Sequence, residues 1–270
     1  MSLSAMAAVI ITGAVVIQHI SSDILSRLPE LKGPDLTSSP VMVVNGVPPL
    51  HDWEIRIEGW VESSGAEELE DRKRAAEIIK ECFLHKHTSL DLTGYNISSL
   101  PELPPHLEKL ILCRTKINSF IGMPYLPNLK SLDLSYAPIR SFEGMPSLPS
   151  LETLDLFYTP IDSFIGMPLL HNLEILDLGC SQIGSFHGMP DLPNLKSLEL
   201  YYTNVSSLSK MPQLIRLERL NISDAKISSL EGMPFLPNLN YLKLDESLFP
   251  SIPMTYAQLS KLTIDCHTSE

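Results

Sequence analysis

The stretch LPNLKSLDLSYAPIRSFEGMPS, residues 126 to 147, is followed at once by LPSLETLDLFYTPIDSFIGMPL, residues 148 to 169. The two align without a gap. Working outward, leucines open the same phrase at Leu107, Leu129, Leu151, Leu173, Leu195, Leu217 and Leu239, so each step is 22 residues with no insertion or deletion. A fixed period of this size is the mark of a solenoid, in which each copy buries its apolar face only by stacking on the next.

Each copy reads Leu-x-x-Leu-x-Leu-x-x-(Thr/Ala/Ser)-x-Ile, then Ser-Phe-x-Gly-Met-Pro-x-Leu-Pro-Asn. That phrase is identified as a leucine-rich repeat, and the resemblance covers roughly two thirds of the chain. It implies an α/β solenoid, a horseshoe with a parallel concave sheet, a 3₁₀ or turn-built convex side and an N-terminal helical cap. The divisions expected are 1–52, an irregular lead-in with room for a secretion signal; 53–88, the helical cap; and 89–270, the repeats, with about nine strands.

Within a copy, the Leu-x-Leu alternation turns Leu132 and Leu134 inward and Asp133 outward. Ile139, Phe142, Met145 and Leu148 return along the convex side and fill the interior. The prolines of Met-Pro-x-Leu-Pro exclude an α-helix there, and Gly144 is free to take positive φ. The columns Phe120, Phe142, Phe164, Phe186, Leu208, Leu230 and Met123, Met145, Met167, Met189, Met211, Met233 read as core. Thr115, Ala137, Thr159, Ser181, Thr203 and Ala225 stand where many leucine-rich repeats carry an Asn ladder, so the backbone at that bend needs other partners.

Before the array, the first twenty residues carry no charged side chain, and the apolar run from Ala5 to Ile17 is too short to span a bilayer. It lacks the basic start and small-residue cleavage site of a secretory signal, so a buried strand, a hairpin or a loose tail is expected. Pro34, Pro40, Pro48 and Pro49 mark irregular chain with one strand at Val41 to Val44. Trp53, Ile55, Ile57 and Trp60 precede a charged helix whose apolar stripe is Ala75, Ile78, Ile79, Cys82 and Phe83, at i, i+3, i+4, i+7 and i+8. Ser63 or Ser64 is the expected N-cap, with Glu67 and Glu68 in the first turn. Such a one-sided helix covers the open end of a solenoid.

The first repeat departs from the rest: SLDLTGYNISSLPELPPHLEKLIL has a 20-residue spacing, from Leu90 to Leu110, and carries Leu-Pro-Glu-Leu-Pro-Pro in place of the Gly-Met-Pro turn. Joined to a charged helix ending in IKECF, it resembles the cap and first repeat of the type III-secreted leucine-rich-repeat effectors of animal-pathogenic bacteria, the IpaH and YopM type, over residues 53 to 112. The later 22-residue copies resemble instead the phosphatase-regulator subtype. The last copy, with Leu259, Leu262 and Ile264, breaks the 22-residue register and shows no capping helix.

Composition narrows the function. Net charge is −12 and the sequence pI about 5.1, which disfavours nucleic acid and anionic membrane as partners. Cys82, Cys113, Cys180 and Cys266 share no paired or metal-like spacing and read as reduced thiols of a cytoplasmic compartment, including the cytoplasm of a host cell for a secreted effector. There is no His-Glu-x-x-His and no phosphate-cradling glycine loop. The ubiquitin-ligase members of the effector family carry a catalytic Cys-x-Asp after their repeats; Asp265-Cys266-His267 is not that motif. No catalytic residue, metal or cofactor is assigned.

The candidate site is the outward strand face. Asp133, Asp155, Asp177 and Glu199 form one column, Phe157 and Tyr201 the next, and Tyr136, Tyr158 and Tyr202 a third. Like charges stacked across a sheet repel, with Lys130, Lys196 and Arg219 placed to offset them. Large aromatics flanked by carboxylates suit a protein partner with a basic surface. The expectation is a non-enzymatic binding module, an effector-like scaffold that recognises a host protein. The alternatives are the recognition arm of a ubiquitin ligase whose catalytic domain lies elsewhere, and a phosphatase regulator. The sequence leaves oligomeric state open.

Overall fold

The computed structural model describes residues 7–11, 14–18, 50–253 and 262–267. The chain divides into two units, Met1–Val47 and Pro48–Glu270. In the first, β1 (Ala7–Ile11) and β2 (Ala14–Gln18) form an antiparallel hairpin in which Val9 faces Val16. Both stretches are rich in valine and isoleucine, residue types enriched in strands. The strand expected at Val41 to Val44 lies outside the described residues.

The second unit opens with two helices. Trp53, Ile57 and Trp60 do not simply precede the charged helix: they lie in a helix of their own, α1 (Leu50–Glu62), and are buried on one face at i, i+4 and i+7. The charged helix, α2, spans Leu69–Leu84. Its N-cap is Glu68 and its first-turn acids are Glu70 and Asp71, so the cap expected at Ser63 or Ser64 is not there. Ser63 Oγ instead donates to the Trp60 carbonyl at 2.8 Å, closing the C-terminal end of α1.

Arg72 ties the cap together. Its side chain is buried, pairs with Glu68 at 2.8 Å, donates to the Trp60 carbonyl at 2.7 Å and to Ser99 Oγ at 3.1 Å, and lies 4.9 Å from the Trp60 ring centroid. Ser99 belongs to the first repeat, so one guanidinium joins both helices to the array. Asn96 adds a second tie, accepting nothing there but donating its N–H to Asp71 and its side-chain amide to the Glu67 carbonyl, each at 2.9 Å. The remaining stripe, Ala75, Ile79 and Cys82, is buried in the common core, with Ile78 and Phe83 half-buried.

Among the described residues, nine parallel strands follow in sequence order: β3 (Ser89–Asp91), β4 (Lys109–Ile111), β5 (Ser131–Asp133), β6 (Thr153–Asp155), β7 (Ile175–Asp177), β8 (Ser197–Glu199), β9 (Arg219–Asn221), β10 (Tyr241–Asp245) and β11 (Thr263–His267). Leu132 stands opposite Leu154 and Leu154 opposite Leu176, which is the 22-residue step written in space. The step survives at the far end, where Tyr241 faces Thr263. The strand register therefore does not break in the last copy as expected, and after β10 a 3₁₀ helix at Glu246–Ser251 buries Leu248.

Inside, the repeats superpose their side chains. Phe120, Phe142, Phe164 and Phe186 are all but fully buried and stack with centroids 6.2, 6.3 and 6.1 Å apart, their planes within 12° of parallel. The return after each phenylalanine is a tight turn: Met145 N–H donates to the Phe142 carbonyl at 3.0 Å, and Gly144 sits at φ 78°. At the bend where many leucine-rich repeats carry an Asn ladder, Thr115, Thr159 and Thr203 donate to the Leu112, Leu156 and Leu200 carbonyls at 2.8, 2.7 and 2.6 Å. An asparagine ladder exists at another address. Asn128, Asn172, Asn194 and Asn238, from Leu-Pro-Asn and its variants, each donate to a carbonyl of the preceding repeat, at 2.6 to 3.0 Å.

Candidate functional site

After each three-residue strand the chain must bend sharply, and the column at the strand end controls the bend. Asp133 Oδ1 accepts the Ser135 N–H at 2.8 Å, Asp155 Oδ1 that of Phe157 at 2.9 Å, and Asp177 Oδ1 that of Gly179 at 2.8 Å. These are Asx turns, in which a side-chain oxygen takes a donor two residues on. Asn221 does the same for Ser223 at 3.2 Å, whereas Glu199, one carbon longer, accepts only from Ser197 Oγ at 3.4 Å. The acidic column is thus half-buried and in part structural. Burial pushes the Asp155 carboxyl up, and pushes Asp177 up to about 6, with the negative charges of Asp155 and Glu199 adding to the effect.

One residue further, the backbone enters the left-handed region. Tyr136, Tyr158 and Tyr202 have φ of 60°, 55° and 54°, and Cys180 in the intervening repeat has φ 58°. The ladder holds them there: Tyr136 N–H donates to the Phe157 carbonyl and Tyr158 N–H to the Gly179 carbonyl, both at 2.8 Å. This conformation is costly for a residue with a Cβ, and it carries the tyrosine rings outward, 41%, 59% and 58% exposed.

The five aromatics meet. Tyr136 lies 5.3 Å from Phe157 and 5.1 Å from Tyr158; Phe157 lies 5.9 Å from Tyr201, and Tyr201 6.3 Å from Tyr202. Phe157 and Tyr201 belong to repeats two apart, and Gly179 lies between them. A Cβ there would fall 2.5 Å from the Tyr201 ring, so the missing side chain is what lets the ring lie down. Burial, then the charges of Asp177 and its neighbours, holds the Tyr201 hydroxyl well above the ordinary phenol range. Tyr136, Tyr158 and Tyr202 are exposed; Phe157 and Tyr201 are half-buried.

The bases do not sit where the sequence places them. Lys130 pairs with Glu108 at 2.9 Å and Lys196 with Glu174 at 2.8 Å, in a column preceding the strands, because those glutamates stand one repeat away in the same register. Arg219 lies over the Tyr241 ring at 4.4 Å. An arginine that the sequence reading passes over, Arg114, caps the aromatic strip at 5.0 Å from the Tyr136 centroid. Its signal is present in the alignment, since Arg114 occupies the tyrosine column one repeat earlier. Among the described residues no group of three His, Cys, Asp or Glu side chains is placed to hold a metal. No helix there is long and apolar enough to cross a membrane.

The parallel sheet, the stacked Leu and Phe columns and the helical cap define a leucine-rich-repeat solenoid. Its fold is similar to that of the leucine-rich-repeat domain of a Shigella effector, at TM-score 0.59 and 20% identity over 81% of this chain and 97% of that one. It is likewise similar to internalin C2 from Listeria monocytogenes, at TM-score 0.56 and 22% identity over 80% and 92% of the two chains. YopM from Yersinia pestis, a leucine-rich effector protein, aligns at TM-score 0.52 and 20% identity over 73% of this chain and 65% of that one. No family model and no curated protein matches the chain. At these identities the likeness is one of fold.

Proposed function

We propose that the strand face is a protein-recognition surface and that the chain works as a non-enzymatic scaffold, of the effector kind, on a protein inside a host cell. The observation that carries this reading is the continuity of the strip from Arg114 through Tyr136, Phe157 and Tyr158 to Tyr201 and Tyr202. Core packing requires none of these rings, and three of them hold strained backbone while facing solvent. Rigid aromatics with two side-chain torsions supply contact area at low entropic cost. Asp133, Asp155, Asp177 and Glu199 run alongside and favour a partner with a basic surface. The likeness of fold to the effector domains supports the setting. The test is affinity capture from host-cell lysate with the wild-type chain and with Tyr136, Tyr158 and Tyr202 changed together to alanine. The variant should lose the captured partners; retention of all of them would overturn the assignment of this face.

A further inference from the structure

The tyrosine column has a break in it. At the left-handed position Tyr158 and Tyr202 are separated by Cys180, so two rings flank a small side chain across two strand spacings, about 10 Å. Beside the break lie Gly179 and the Tyr201 ring, and burial first, then the nearby charge of Asp177, raises the Cys180 thiol and the Tyr201 hydroxyl. A planar cation entering midway would be about 5 Å from each flanking ring, within cation–π range.

The chain shows which cation such rings take. Each of the three cation–ring contacts among the described residues uses arginine: Arg72 on Trp60, Arg114 on Tyr136 and Arg219 on Tyr241. The lysines beside this face, Lys130 and Lys196, pair with glutamates instead. Arg114 and Arg219 lie at the two ends of the face. In the middle, among the described residues, no cation lies over Tyr158 or Tyr202 and no ion pair reaches Asp155, Asp177 or Glu199. The charges that act on Asp177, those of Asp155 and Glu199, are of its own sign.

We propose that the break at Cys180 is a slot for an arginine side chain of the bound protein, stacked between Tyr158 and Tyr202 and facing Asp177. This rests on the strand face being the binding surface. Guanidinium suits the slot because it is flat, weakly hydrated and stacks on aromatic faces.

Two substitutions test the slot without disturbing the fold. Cys180→Tyr fills the break with the residue that three other repeats hold in the same conformation, at φ 54° to 60°. Asp177→Asn removes the charge and keeps the turn acceptor, as Asn221 does in its own repeat. A phage-displayed library of random linear peptides is selected against the full chain, and the binders are synthesised and titrated. The expected binders carry an arginine whose replacement by citrulline weakens binding about tenfold or more, as do Cys180→Tyr and Asp177→Asn. Binders that need Tyr158 and Tyr202 but ignore citrulline and Cys180→Tyr would refute the slot and leave the face standing. Failure to obtain any binder that depends on those tyrosines would refute both.

Discussion

Gly179 and Tyr201 are packed so closely that the phenol ring occupies the volume a Cβ at Gly179 would fill, with the nearest ring carbons 2.5 Å from that point. The glycine is not there for backbone freedom, because Gly179 is not among the glycines with positive φ. It makes room for a ring that bridges to Phe157 across a whole repeat. Gly179→Ala is therefore expected to lift Tyr201 off the sheet and to cost about 1 to 3 kcal/mol by overpacking. Ring proton resonances supply the second reading: the Tyr201 ring signals, assigned by their loss in Tyr201→Phe, and those of Phe157 should shift in Gly179→Ala as the 5.9 Å ring contact opens. Unmoved resonances would show that the ring does not depend on the gap.

Asp177 gives the fold a pH dependence of defined sign. Its carboxyl is pushed up from the ordinary 3.8 to about 6, through burial first and neighbouring carboxylates second. Between those values the folded chain binds more protons than the unfolded one, so this group's contribution to stability is greatest below pH 3.8 and is lost as pH rises through 6. Asp177→Asn removes that loss while keeping an acceptor for the Gly179 N–H. Urea denaturation should find the variant more stable by on the order of 1 kcal/mol at pH 7.5, with the difference closing toward pH 4. A gap that widens on acidification would contradict the assignment.

How far the sequence spells out this molecule depends on which force sets each feature. Leucine spacing is tied to strand spacing, so Leu132, Leu154 and Leu176 reveal the sheet, and Phe142 and Phe164 reveal the stacked core. The cap is harder, because Trp53, Ile57 and Trp60 fit a helix at i, i+4 and i+7 but also sit in an Ile-x-Ile alternation that obscures it. The face is legible by composition and not by conformation. Nothing in the letters of Tyr136, Tyr158 and Tyr202 announces positive φ; Gly94, at φ 75° in the equivalent place of the first repeat, and Asp224, at φ 54° one repeat after Tyr202, hint at it. An aspartate also looks the same whether it serves a partner or the turn beneath it, and Asp133, Asp155 and Asp177 each give one oxygen to the turn. The pair Gly179-Cys180, between Phe157-Tyr158 and Tyr201-Tyr202, is visible once the repeats are aligned, but a search for aromatics passes over it.

Among the described residues of the 22-residue copies, Lys210 stands where the return turn otherwise holds glycine. Gly122, Gly144, Gly166, Gly188 and Gly232 hold φ of 78° to 87° there, and Lys210 takes the same turn at φ 69°. Left-handed backbone costs a residue with a Cβ roughly 1 to 2 kcal/mol, part of which glycine gives back through its freer unfolded chain. Lys210→Gly should raise stability by about 0.5 to 1 kcal/mol, read as a higher urea midpoint at unchanged slope. A lower midpoint would mean that the lysine side chain makes a contact worth more than the strain.

Phe164 offers the sharpest measure of how the repeats depend on one another. It is fully buried and stacked on Phe142 at 6.3 Å and on Phe186 at 6.1 Å, so its ring serves the interfaces on both sides of its own repeat. Truncation removes apolar contact from both neighbours and leaves a cavity that parallel rings on either side are poorly placed to fill. Phe164→Ala is expected to destabilise the array by about 3 to 5 kcal/mol. Phe186→Leu provides the contrast, because Leu208 and Leu230 already occupy that column in the next two repeats. Its cost should stay below about 1.5 kcal/mol, in line with hydrophobic exchanges that repack. If stability passes from repeat to repeat through this column, Phe164→Ala should also raise hydrogen exchange at the amides of Leu134 and Leu178, in the repeats on either side. Exchange confined to the mutated repeat would show that each copy is held by its own strand hydrogen bonds more than by the stack.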